Sequence, residues 1–286
     1  MIQGVASGVG KSLLATGLCR ILAQDGLRVA PFKAWNMALN SYTTADGLEI
    51  GWAQGIQAEA CRIDATGHMN PFLLKPSATG ETHIIIRGTP WQDEHIKDIH
   101  SLPPNGPWPI IDKSLALLRE QHDVVIIEGA GSPAEINLKD RDVANMSIAL
   151  LANAPVILTA DIHRGGALAA LIGTCELLDD LENLHIAGFV INKFRGDFEI
   201  LRPGLTVVEE FTGKPILGVI PYIPDLRLGE EDSLGAAEAD ALGDGNTDAL
   251  AVPDARERDK HIDKLATVVR DSLDMDQVYR LIEQGV

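Results

Sequence analysis

The segment GVASGVGKS, from Gly4 to Ser12, sets three glycines ahead of a lysine and a serine and opens a long apolar-periodic stretch. A glycine-rich turn at a helix N-terminus aims several backbone N–H groups at phosphate oxygens. Lys11 then reaches the outer phosphates of a nucleotide, and the Ser12 hydroxyl serves Mg²⁺. Ser7, Gly8, Val9, Gly10, Lys11 and Ser12 are therefore the expected nucleotide contacts. The spacing, G-x5-G-K-S, is one residue longer than the usual pattern, so an incidental glycine-rich turn stays open as the alternative.

A phosphate loop asks for further metal ligands. Glu128 ends the apolar run VVIIE and precedes GAGS. A carboxylate there lies at the C-terminal end of a central strand, where open α/β sheets bind ligands. Asp46, in TADG, is a second candidate on composition, against the plainer reading of a turn aspartate before Gly47. Asn192 and Lys193 end the run FVINKF. An Asn amide pairs with an adenine edge, and a strand-ending Asn in a turn is the alternative.

The elements that must position these residues read as α/β. Short apolar runs, Leu27 to Phe32, His83 to Ile86, Val124 to Ile127, Val156 to Ala160, Ile186 to Ile191 and Ile216 to Ile220, alternate with helical patterns. Consecutive apolar positions suit strands buried on both faces, hence a mostly parallel sheet with helices on both faces, of P-loop NTPase type. The helices are expected at Lys11 to Gln24, Gly51 to Cys61, Lys113 to His122, Val143 to Ala152, Ala167 to Leu178 and Val207 to Thr212. Residues 1–224 form one domain in this reading and 225–255 an acidic linker. Residues 256–286 follow as a helical segment with Ile262, Leu265, Val269 and Leu273 at helical spacing. Only Met1 to Gln3 precede the loop, fewer than a first strand usually has, which suggests a clipped or misassigned start.

Composition narrows the class. Lys and Arg number 24 against 41 Asp and Glu, a formal charge of -17. A surface this negative repels nucleic acid and anionic membranes. The most apolar stretch, Ile148 to Ala160, is interrupted by Asn153 and Pro155, and no membrane span is expected. Cys19, Cys61 and Cys175 are scattered with no CxxC pair, so a reducing cytoplasm is the expected setting and all three read as packed side chains.

The motifs together resemble the N-terminal ATP-binding domain of the cobyric acid synthase family. The likeness runs from about Met1 to Leu234 through APFKAWNMALNS, TADGLEIGWAQGIQAEA, MNPFLLKP, VVIIEGAGSPAEINLKDRDVANM, ADIHRGG and GFVINKFRGD. Arg256 to Ile282 resembles the helix that closes the complete family sequence. The resemblance implies a P-loop fold of dethiobiotin-synthetase type. It also implies ATP- and Mg²⁺-dependent amidation of a corrinoid's carboxylates through acyl phosphates. It makes Lys11, Asp46 and Glu128 catalytic, Ser12, Asp46 and Glu128 metal ligands, and Asn192 and Lys193 nucleotide contacts. On the substrate side it suggests Lys33, Asn36, Asn40, Gln54, Gln57, Asn70, Lys75, Asn137, Asp142, Asn145 and Arg164.

This chain also departs from the pattern. The family's glutamine-hydrolysing domain has no counterpart here, so ammonia is expected from solution or a separate glutaminase subunit; a homo-oligomer is a further possible assembly. Trp35, Trp52 and His163 stand where the family typically has Gln, Arg and Asp, in motifs expected to face the substrate. Two other readings therefore stay open: a P-loop ligase acting on another carboxylate, and a non-amidating nucleotide-dependent partner or regulatory ATPase.

Overall fold

The computed structural model describes residues 1–76, 82–91, 106–228 and 253–284. In chain order its main elements begin with β1 (Ile2–Gly4), α1 (Lys11–Gln24), β2 (Val29–Phe32), β3 (Trp35–Met37), β4 (Ser41–Thr43), β5 (Glu49–Gly51) and α2 (Trp52–Cys61). Then come β6 (Phe72–Pro76), β7 (Thr82–Ile86), β8 (Thr89–Pro90), α3 (Trp108–Gln121), β9 (Val124–Ile127), α4 (Met146–Ala152) and β10 (Val156–Asp161). The chain continues through α5 (Ala167–Leu177), α6 (Asp180–His185), β11 (Ile186–Phe194), α7 (Phe198–Thr212) and β12 (Ile216–Pro221). Helices α8 (Ala255–Ser272) and α9 (Met275–Gln284) complete it.

Strands β1, β10, β11 and β12 pair in parallel in that order, and β2 pairs with β9. An Ile2–Glu128 bridge, with the Gly129 N–H donating to the Ile2 carbonyl at 2.8 Å, joins the two groups. The order is thus β2–β9–β1–β10–β11–β12. Strand β1 lies where the chain direction across the sheet switches, the place where such sheets open a crevice at their carboxyl ends.

Alternation within each strand divides the core. Ile157, Val190 and Leu217 pack with Leu14, Leu18 and Val269 on the α1/α8 face. Leu158, Phe189 and Ile191 pack with Leu171, Leu205 and Val208 on the α5/α7 face. Both faces are covered, which is why these strands read as continuous apolar runs.

Three expectations need adjusting. The run His83 to Ile86 does form a strand, yet β7 pairs antiparallel with β6 in a side sheet ordered β3–β6–β7–β8. The chain between Pro76 and Thr82 is too short for a parallel crossover, which takes about a dozen residues. Helix α7 starts at Phe198 rather than Val207, with Asp197 capping the Glu199 N–H at 2.9 Å, and it runs through Pro203. The C-terminal segment forms two helices, and α8 is embedded in the core: Ile262, Leu265, Ala266 and Val269 are all buried. Of the expected linker, residues 229–252 lie outside the described residues.

Charged pairs hold α8 in place. Arg20, fully buried on α1, binds Asp259 at 2.5 Å and Asp263 at 3.1 Å. Arg258 binds Glu59 of α2 at 2.7 Å, and Arg270 binds Asp25 at 2.8 Å. Gly17 permits the close approach of α1 to α8, because a β-carbon there would stand 2.8 Å from Val269 Cγ2.

Candidate active site

Most of the residues at the crevice stand at the ends of parallel strands. The loop from Gly4 to Gly10 follows β1, Lys33 follows β2, Glu128 follows β9, Asp161 ends β10, and Asn192 and Lys193 lie near the end of β11. Gly10 caps α1 at φ 99°, a left-handed conformation that favours glycine. A β-carbon on Gly10 would stand 2.0 Å from the Asn192 amide nitrogen, so that position must be glycine for the loop to close on β11.

The loop is braced by side chains from the neighbouring strands. Asn192 Nδ2 donates to the Val9 carbonyl at 2.9 Å, and its Oδ1 accepts the Lys193 N–H at 2.8 Å. Lys193 Nζ donates to the Gly8 carbonyl at 2.9 Å and to Asp161 Oδ2 at 2.8 Å. The Asn192 amide nitrogen thus braces the loop, while its oxygen fixes the backbone of the next residue on β11. Lys11 Nζ donates to the carbonyls of Ala6 at 2.9 Å and Gly131 at 3.0 Å, which ties the loop to the GAGS turn.

Glu128 is the hub of the second cluster. Its Oε1 accepts from Ser12 Oγ at 2.8 Å and Lys33 Nζ at 3.0 Å, and its Oε2 accepts from Gln57 Nε2 at 2.6 Å. Burial by itself would push this carboxyl up. The Lys33 ammonium and the three hydrogen bonds outweigh burial and hold Glu128 below the ordinary glutamate range. Lys33 and Glu128 are both buried. Removing either partner strands the other as an uncompensated buried charge, at about 3–5 kcal/mol.

The structure sorts the remaining predicted residues. Asn36 Nδ2 donates to Gln54 Oε1 at 3.1 Å, within reach of the Glu128 cluster through α2. Asn70 accepts the Gly51 N–H at 2.9 Å and donates to the carbonyls of Lys33 and Phe72, so it fastens α2 to the strand ends. Asn145 bonds both backbone groups of Ala130 and the Ser132 carbonyl, shaping the GAGS turn. Asp142 accepts the N–H groups of Ala144, Asn145 and Ser147 at the start of α4. Lys75 is paired with Glu49 and Ser41 on the β4–β5 hairpin. Arg164 is exposed and stands near the loop, 3.8 Å from the point where a Gly8 β-carbon would sit. Asn40 and Asn137 are exposed on the surface.

Asp46 is not brought to the cluster. It sits exposed in the β4–β5 turn, accepts from Thr44 Oγ1, and has no hydrogen bond or ion pair with Ser12 or Glu128. The aromatic departures have packing partners. Trp35 stacks on Phe72 at 5.3 Å, and Trp52 donates to the Leu228 carbonyl at 2.9 Å and packs into the α1/α8 core. Both indoles serve packing, and His163 is exposed, its N–H on Asp161. The three cysteines are buried thiols; burial pushes Cys175 up to about 11.

Sequence reasoning missed Asp161. It is buried at the mouth of the crevice and gathers Lys193, Arg164 at 3.9 Å and the His163 N–H. Its signal was the same as that of Glu128, a lone carboxylate ending an apolar strand.

A nucleotide fits these residues on two observations. The loop closes against β11 only with glycine at its tightest point, the arrangement a glycine-rich phosphate loop needs. In addition, Gln57 Oε1, on the side chain that binds Glu128, and Gln54 Nε2, one turn away on α2, are buried polar atoms with no partner among the described residues. Buried polar groups without partners mark a place where a polar ligand or water belongs.

The comparisons agree. The family described as CobQ/CobB/MinD/ParA nucleotide binding domain matches residues 1–234. Cobyric acid synthase of Sorangium cellulosum is 53% identical over 255 residues, 88% of this chain and 49% of that protein. Its counterpart in Carboxydothermus hydrogenoformans is 54% identical over 238 residues, 83% of this chain and 48% of that protein. The chain therefore spans about half the length of the curated relatives it matches. Among solved structures, the MinD cell division protein of Aquifex aeolicus aligns over 93% of this chain and 95% of its own at 14% identity, with a TM-score of 0.42. With the phosphate loop, its strand-end carboxylate and a match over 1–234, this chain belongs to the CobQ/CobB/MinD/ParA nucleotide-binding domain family.

Proposed function

We propose that this chain is an ATP-dependent carbon–nitrogen ligase that amidates side-chain carboxylates of a corrinoid, taking ammonia from a source outside itself. The observation that carries the reading is the hydrogen bond from Ser12, the residue after Lys11, to the strand-end carboxylate of Glu128, with relatives of about half identity named cobyric acid synthase. Ser12 and Glu128 would hold Mg²⁺, and the backbone from Ser7 to Gly10 with Lys11 would hold the phosphates of ATP. Bound Mg²⁺ supplies charge neutralisation on the transferring phosphoryl group.

In this reading a substrate carboxylate oxygen attacks the γ-phosphorus and ADP leaves, giving an acyl phosphate. Ammonia then attacks the acyl carbon, inorganic phosphate leaves and a proton is released. The protein's part is positioning and charge. Lys11, fixed by the carbonyls of Ala6 and Gly131, faces the phosphate side of the loop. Lys33 keeps Glu128 ionised. Asn192 and Lys193 brace the loop. Of the substrate-side residues, exposed Arg164 beside Gly8 is the best placed to meet an incoming carboxylate. Asn70, Asp142 and Asn145 act through the backbone they fasten. Asp46 would reach a metal only as part of the hairpin it anchors.

The test is mass spectrometry of adenosylcobyrinic acid a,c-diamide after incubation with the protein, Mg-ATP and either ammonium or glutamine. The expected result is replacement of carboxyl by amide with ammonium and none with glutamine, and none with Lys11→Ala. ATP binding without any amide formation would sink the ligase reading and favour a nucleotide-dependent partner protein.

A further inference from the structure

Helices α5 to α7 carry more than half of the large apolar side chains exposed among the described residues. Ile200, Val207 and Phe211 recur at i, i+7 and i+11 on α7, so they share one face. That face is not the one turned to the core, which carries Leu201, Leu205 and Val208. Ile200 is 81% exposed and Phe211 64%. Leu177, at the end of α5, and Leu181 and Leu184, on α6, are more than half exposed as well.

The two groups adjoin. Lys214, just beyond α7, donates to the Asn183 carbonyl of α6 at 3.0 Å. Gly204 lets α7 lie close against α5, since a β-carbon there would stand 2.7 Å from Leu168 Cδ1. Exposed apolar side chains are thus grouped on neighbouring helices, and such groups mark interaction sites.

Its rim identifies the occupant. Four of the six apolar side chains directly follow an exposed acid in the chain: Leu177 after Glu176, Leu181 after Asp180, Ile200 after Glu199 and Phe211 after Glu210. Glu199 is paired with Arg202 at 2.5 Å, and Lys214 is committed to a backbone carbonyl. A second copy would set acid against acid on two chains each carrying a charge of -17. We propose that this face docks a protein partner that presents an apolar helical ridge flanked by Lys and Arg. The inference stands apart from the ligase reading.

The probe is a synthetic amphipathic helical peptide of Leu and Lys, titrated into the full chain and followed by calorimetry at low and moderate salt. Binding should weaken with salt and fall by about tenfold or more in the double variant Val207→Asp, Phe211→Ser, in line with loss of central apolar anchors. Both positions are exposed, so circular dichroism of the variant should match the parent. A control, Ile136→Ser, removes an exposed apolar side chain elsewhere and should bind as the parent does. No binding, or equal binding to the double variant, overturns the proposal. So does a parent dimer in light scattering that the double variant dissolves, because the face would then belong to a second copy.

Discussion

Two buried clusters of charge lie along α1, and they are built on different terms. At its start, Glu128 and Lys33 are both removed from water, and Ser12 and Gln57 complete the carboxylate's hydrogen bonds. Further along, Arg20 is fully buried, but its partners Asp259 and Asp263 remain 58% and 46% exposed. In the first cluster both ions bear the desolvation penalty, so the pair adds little net stability and is retained for what it does. In the second only the cation is desolvated, and each acid keeps much of its hydration. The first arrangement suits chemistry on phosphates; the second fastens a helix.

That contrast is sharpest where each cluster is broken. Asp259→Asn combined with Asp263→Asn leaves Arg20 buried beside neutral amides. The loss should be about 2–3 kcal/mol in chemical denaturation, below the figure for a wholly buried pair because the acids are half exposed. Nucleotide affinity should change little. A variant of unaltered stability that had lost nucleotide binding would merge the two clusters into one.

A smaller effect is expected at the crevice mouth. Asp161→Asn removes the charge that holds Lys193 against the Gly8 carbonyl. ADP affinity should fall by about tenfold, the scale of one charge-assisted hydrogen bond. Lys193→Gln should do the same. If calorimetry found both variants binding like the parent, Asp161 would have no part in shaping the loop.

The smallest effect is in the pH response of the fastening helices. Tyr279 donates to Asp25, which also binds Arg270. Burial first, then the contact with Asp25, pushes the Tyr279 hydroxyl up to about 12, whereas Arg270 chiefly holds the Asp25 carboxyl below its ordinary range. A raised tyrosine favours the fold while it stays protonated, so its contribution is present below its unfolded value and lost as pH rises toward 12. The depressed Asp25 contributes above its unfolded value and is lost as pH falls through the folded one. Ultraviolet titration should show Tyr279 ionising late, and Asp25→Asn should bring it earlier. An unchanged curve in that variant would remove Asp25 as a partner.

Much of the crevice was open to sequence reasoning because its chemistry is local. Gly8, Gly10, Lys11 and Ser12 are adjacent in the chain, and Glu128 and Asn192 each end a run of apolar residues that can only be a buried strand. The side sheet was not readable in the same way. Strands β3 to β5 are three residues each, shorter than any period can reveal, and β7 looks like a core strand until its partner is known. Asp46 illustrates the limit: TADG describes a turn, and nothing in four residues says how far that turn lies from Ser12. Trp52 shows the same thing from the other side, since its partner is the Leu228 carbonyl, 176 residues away. Asp161 was within reach, as its strand-end position was the very sign used for Glu128.

The central claim is that Ser12 and Glu128 form a metal-assisted phosphate site. Its most direct test is the Mg²⁺ dependence of ATP affinity, measured by calorimetry for the parent, Ser12→Ala and Glu128→Gln, with thermal unfolding as a check that each variant folds. Mg²⁺ should tighten ATP binding to the parent by about tenfold or more, and change it little in Glu128→Gln, where a neutral amide replaces the proposed ligand. A folded Glu128→Gln variant whose ATP affinity still rises with Mg²⁺ as the parent's does would contradict it.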